Sequence, residues 1–136
     1  MPNLNHFLSK LESNAVQVSD LEVPPVFGAA PVQIAFDRGA RLKANYWRLL
    51  KDGKVVVSSF DHQQIYGLPK PIDAIDELRK TLGKKTITHA EIDRETGDLR
   101  FQFDENVRLQ IFNVSCYEVW ELTFPDGTSE YSNYNK

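Results

Sequence analysis

The period of hydrophobic and polar positions changes along the chain, and each change marks an element. Leu4, Phe7, Leu8 and Leu11 stand at i, i+3, i+4 and i+7, one stripe of a short helix. Asn3 is placed to cap it and Ser13-Asn14 to end it. So short a helix is marginal in water, so its stripe must dock on its own domain or on a second subunit. Glu22 to Pro31 (EVPPVFGAAP) is rich in proline, glycine and alanine and reads as a linker. One domain over 1–136 is expected, with a helix-and-linker arm at 1–31 and an α+β body at 32–136.

From Val32 onward the period is two. Val32, Ile34 and Phe36 share one parity, and Arg38-Gly39 supplies a turn. In ANYWRLLKDGKVVVSSF, Asp52-Gly53 suits a type I′ hairpin turn, which needs φ > 0 at both positions. That turn sets Leu50 opposite Val55, Leu49 opposite Val56 and Trp47 opposite Ser58. Residues 71–82 return to the helical period, with Ile72, Ile75, Leu78 and Leu82 as the buried stripe. Pro71 suits the first helical position and Gly83 the residue after the last. Acids at its start and bases at its end match the helix dipole, which accounts for most of the local charge run.

The last third alternates again. A four-residue loop Arg94 to Gly97 pairs Ile92 with Leu99, Ala90 with Phe101 and Thr88 with Phe103. A three-residue loop Asp104 to Asn106 pairs Phe103 with Val107, Phe101 with Leu109 and Leu99 with Ile111. A two-residue loop would oppose Phe103 to Arg108, and a one-residue slip turns every side chain over. Asn106 also tolerates the left-handed conformation that the longer loop needs. A strand over Tyr117 to Phe124 shows Trp120, Leu122 and Phe124 to one face, Pro125-Asp126-Gly127 turns the chain, and SEYSNYNK can add an edge strand. The class expected is α+β: a mainly antiparallel meander of about six or seven strands, with helix 71–82 packed on it and a short N-terminal helix.

Composition narrows the function classes. With 41% hydrophobic and 26% charged residues, the chain can fold as one ordinary domain. The single cysteine, Cys116, excludes an internal disulfide framework. No apolar run is long enough to span a bilayer and no secretory signal precedes the body, so a cytoplasmic protein is expected. A net charge of −3 repels nucleic acid and anionic membrane at long range, and neither is expected as partner. Residues 37–85 carry eleven Lys or Arg against six acids, whereas 86–136 carry four against ten, a split that can steer a charged partner.

Candidate chemistry is sparse. His62 and His89 would need an acid such as Glu91 beside them to hold zinc, and no local histidine spacing supports that. Ser58, Ser59, Asp61 and His62 carry the group types of nucleophilic catalysis, but adjacent strand residues point to opposite faces. Glu118 and Glu121 have opposite parity, which argues against a paired-carboxylate site. No catalytic residue, metal or cofactor is assigned. The richer feature is the polar face of the meander, with His89, Arg100, Gln102, Arg108, Gln110 and Phe112, and with Tyr117 and Glu121 on the neighbouring strand. Arginine and aromatic anchors in such a face suit protein recognition. The N-terminal helix, through Phe7, Leu8 and Leu11, is the alternative cover for that face.

Residues 97–127, GDLRFQFDENVRLQIFNVSCYEVWELTFPDG, resemble a pattern in small bacterial proteins of unknown function. A GdL-x-l-x-F hairpin there precedes YE-x-W-x-l-x-x-PdG. Gly97, Asp98, Leu99, Phe103, Leu109, Tyr117, Glu118, Trp120, Leu122, Pro125, Asp126 and Gly127 carry the match. Asn106 replaces the usual glycine, and the usual glycine-rich ending is absent. Some such proteins look like immunity proteins, cytoplasmic partners that block a toxin. The resemblance implies a non-catalytic protein-binding module with a toxin as partner; the strand alternation, not the resemblance, places its contact on an acidic and aromatic surface of the meander. A small-ligand or enzymatic pocket near His62 and His89, and a homodimer tied by the N-terminal helix, are the alternatives.

Overall fold

The computed structural model describes residues 4–21, 28–115 and 117–132. Asn3, residues 22–27 of the expected linker, Cys116 and the last four residues of the tail lie outside the described residues. In chain order the elements are α1 (Leu4–Ser9), β1 (Val16–Asp20), β2 (Val32–Phe36), β3 (Arg41–Ala44), β4 (Trp47–Lys51), β5 (Lys54–Ser58), α2 (Ala74–Leu82), β6 (Ile87–Ile92), β7 (Leu99–Phe103), β8 (Val107–Ile111), β9 (Trp120–Thr123) and β10 (Ser129–Tyr131). Among the described residues the strands form two antiparallel five-stranded sheets, ordered β1-β2-β3-β9-β10 and β5-β4-β8-β7-β6.

The α+β class holds, but one meander of six or seven strands is replaced by these two sheets. The reason lies at Asn45-Tyr46. Tyr46 and Trp47 are both buried, so strict alternation breaks there and the strand changes sheet. β3 pairs with β9 in the first sheet, while β4 pairs with β8 in the second. The Asn45 N–H donates to the Val119 carbonyl at 3.0 Å and the Phe112 N–H to the Tyr46 carbonyl at 2.9 Å. One long bent ribbon therefore crosses both sheets, and β9 leaves the sheet of its predecessor β8. The inner faces meet in one hydrophobic cluster, where the Phe36 and Phe101 rings lie 5.8 Å apart.

Register in the last third follows the sequence closely. Phe103–Val107, Phe101–Leu109 and Leu99–Ile111 pair as expected, and so do Ile92–Leu99 and Ala90–Phe101. Asn106 has φ 58°, and Glu105 joins it in the left-handed region at 60°. Two bulges shift the outer pairs. Phe103 faces Ile87, not Thr88, because the register slips between Ile87 and His89. In the other hairpin Leu50 faces Val55 as expected, but Leu49 faces Val57 and Arg48, not Trp47, faces Ser58. The slip brings Val57 into the core against Leu49 and leaves Val56 40% exposed.

The helices dock at the sheet edges. In α1, Leu4 and Leu8 are buried, as is Leu11 just beyond it, and the Phe7 ring meets Phe124 edge-on at 4.2 Å. Its stripe is thus used within the chain, and Asn5 Oδ1 accepts the Ile92 N–H at the end of β6. α2 starts at Ala74, three residues later than expected. Asp73 is its cap, accepting the Asp76 N–H at 3.0 Å, while Ile72 exchanges backbone bonds with Gln63 and Gln64. At its other end Gly83 has φ −56°, and Lys84 takes the left-handed position instead. Arg79 of α2 donates to the Val18 carbonyl of β1, satisfying part of that outer strand's free edge. β1 is absent from the sequence reading, since Val16 and Val18 are too few to declare a period. β10 supplies the edge strand expected of the tail.

Candidate functional site

The outer face of β5-β4-β8-β7-β6 is built by alternation. Alternate residues of β4, β7 and β8 are buried: Leu49, Leu99, Phe101, Leu109 and Ile111 point inward at 2% exposure or less. Their neighbours must point out. The registers align them in two rows across five strands. One row runs Ser58, Arg48, Gln110, Arg100, Glu91, and the other Val55, Leu50, Arg108, Gln102, His89. Among the described residues neither helix lies over these rows; α1 sits at the β6 side and α2 near β5 and β1.

Five of the expected binding residues, His89, Arg100, Gln102, Arg108 and Gln110, therefore share one surface and line a shallow depression of about 170 Å³. Phe112 flanks it, half-buried, with the Arg48 guanidinium 5.1 Å from its ring centroid. Tyr117 and Glu121 do not join them. Tyr117 is exposed in the crossover between β8 and β9, and Glu121 stands on β9, on the outer side of the other sheet. There the Glu121 carboxylate, with Glu118 as a lesser contributor, holds the Tyr131 phenol above its ordinary range. Arg48 and Leu50, not among the residues expected from the sequence, join the face from β4. Their parity opposite Trp47 and Leu49 was the available signal, but nothing in the chain tied β4 to β8.

Charge on this face is unevenly satisfied. Arg100 Nε lies 3.1 Å from Glu91 Oε1 and its Nη1 lies 3.7 Å from Asp93 Oδ2. His89 approaches Glu91 and Glu12 at 3.6 and 3.9 Å. Arg48 Nε donates to Gln110 Oε1 at 2.7 Å, a neutral partner. Gln102 donates to the Phe103 and Val107 carbonyls, which anchors its amide across the β7–β8 turn. The centre of the face is thus basic and amide-rich, with acids confined to the β6 margin, rather than acidic as expected.

No protein-family model, curated protein or solved structure matches the chain significantly.

The groups weighed for catalysis are engaged in holding the fold. Ser59 is fully buried and its hydroxyl accepts the Trp47 N–H at 3.1 Å. Asp61 Oδ2 accepts the Ser58 N–H at 2.8 Å, and Asp61 Oδ1 accepts the Tyr66 hydroxyl. His62 Nδ1 accepts the Ala74 N–H at 3.1 Å, closing the first turn of α2. An imidazole bonded this way has one nitrogen committed to the backbone. His62 follows β5 and His89 stands on β6, at opposite edges of the sheet, so they frame no common pocket. Among the described residues no three metal-binding side chains converge, and no helix is long and apolar enough to cross a membrane.

Proposed function

We propose that the chain is a non-catalytic protein-binding module of the immunity-like kind that its 97–127 segment resembles, a bacterial cytoplasmic protein that holds a toxin-like partner on the outer face of the β5-β4-β8-β7-β6 sheet. One observation carries the reading: a five-stranded face left open by both helices and bearing arginine, glutamine, histidine and a flanking phenylalanine. Arginine and aromatic groups dominate binding energy at protein interfaces.

Gln110, at the centre of the face, gives the test. Tryptophan there suits a strand and protrudes into any docked partner, whatever that partner's charge. The tagged chain should retain a protein from lysate of its own cell, and Gln110→Trp should reduce the retained amount at least tenfold while the thermal midpoint stays unchanged. Undiminished retention by the folded variant would contradict the reading.

A further inference from the structure

Resting on the protein-binding reading, we propose that the partner presents an acidic surface, and that Arg48 and Arg108 are the two anchors that receive its carboxylates. The charges already compensated identify them. Arg100 is neutralised by Glu91 and Asp93. Arg48 and Arg108, among the described residues, have no carboxylate within ion-pairing distance. They stand on adjacent strands as diagonal neighbours, since Leu50 faces Arg108 and Arg48 faces Gln110. Such diagonals are about 7–8 Å apart, so two acidic side chains on neighbouring positions of a partner can engage both.

Arg48 is prepared for this role. Gln110 fixes its Nε, and the Phe112 ring supports the guanidinium plane. The remaining N–H groups stay free to form a forked pair with a carboxylate, and a fixed side chain loses less freedom on binding. Arg108 is exposed and needs only to close.

The same charges exclude other occupants. A nucleic-acid backbone needs a basic track that meets several phosphates. Here two uncompensated arginines are bordered by Glu91, Asp93 and Glu12 on a chain of net charge −3. A second copy would have to offer its own acids: those at the margin of this face already meet Arg100 and His89, and Glu118 and Glu121 lie at the other sheet. Contact with the other sheet is head-to-tail and would build rings or open chains, either of which shows as concentration-dependent self-association.

The test is an amide-resolved NMR titration of the full chain. The probe is a helical peptide with glutamates at i and i+4, and the control is its glutamine counterpart. Shifts should concentrate at Arg48, Arg108, Gln110 and Gln102, weaken at higher salt, and fall at least tenfold in affinity for Arg48→Gln/Arg108→Gln, whose spectrum should otherwise stay native. Equal binding of the glutamine peptide, stronger binding of a DNA duplex at this face, shifts elsewhere, or concentration-dependent self-association through it would each overturn the proposal. Failure of the underlying reading looks different. A captured protein lost with Gln110→Trp but held equally by Arg48→Gln/Arg108→Gln removes the acidic anchors and leaves protein binding standing; one held equally by Gln110→Trp removes both.

Discussion

Trp120→Ala should cost about 3–5 kcal/mol of folding stability, the upper range for emptying a buried aromatic site. Trp120 is 2% exposed and belongs to β9 in one sheet, yet its indole N–H donates to the Gly97 carbonyl at 2.9 Å, in the loop between β6 and β7 of the other. Truncation removes the ring and also leaves a buried carbonyl short of a partner. Against a total of about 5–15 kcal/mol for an ordinary domain, this brings the protein close to unfolding. Trp120→Phe separates the two contributions: it keeps most of the apolar area and should lose about 1–3 kcal/mol. Urea unfolding followed by the fluorescence of Trp47 measures both. A loss below about 1 kcal/mol for the alanine variant would mean that the indole does not tie the sheets together.

Gly97→Ala should cost about 2–4 kcal/mol, from two causes that can be told apart. Gly97 has φ +81°, where any Cβ is strained, and a Cβ added there would lie 2.5 Å from Asn113 Nδ2. Asn113 cannot swing away freely. Its Nδ2 donates to the Thr96 carbonyl at 2.9 Å and its backbone N–H to Asp98 Oδ1 at 2.7 Å. Removing the amide with Asn113→Ala should therefore relieve the contact but not the backbone strain. The double variant should be more stable than the sum of the single costs by about 0.5–3 kcal/mol. Strict additivity in a urea double-mutant cycle would show that the two residues do not meet.

These two positions explain what the 97–127 pattern encodes. Trp120 stands 23 residues beyond Gly97, yet with Asp98 and Asn113 they form one knot in which the crossover from β8 to β9 is fastened to the β6–β7 loop. Gly97, Asp98 and Trp120 of the pattern thus help hold the two sheets together, while the proposed binding face is furnished by Arg48, Arg100, Gln102, Arg108 and Gln110, none of which belongs to the pattern. A fold can be shared on such terms while the surface it displays varies.

The same contrast decides what the sequence could reveal. The register from Leu99 to Ile111 was legible because a one-residue error would have exposed Phe101 or Leu109, a cost that the pattern itself reports. Trp120 and Leu122 announce a buried face just as clearly, but alternation says which side chains are dry and not which strand lies beside them. β9 could pair with β8 or with β3 without changing a residue, and the break at Tyr46-Trp47 was a single weak sign. Five residues of the face came together because they sit on β6, β7 and β8, whose pairing was readable. Glu121 and Tyr117 fell away with β9, and Arg48 entered with β4. The bulges at Thr88 and Val56 answer to local packing that has no sequence period.

The claim on which the functional account depends is that the outer face of the second sheet is open in the free protein and covered by the partner. Gln102→Cys, in a chain whose single natural cysteine is replaced by Cys116→Ser, reports on it through its rate of maleimide labelling. The account predicts fast labelling in the free protein and labelling at least tenfold slower in complex with the protein it captures. Slow labelling of the free chain, or an unchanged rate in the complex, would contradict it.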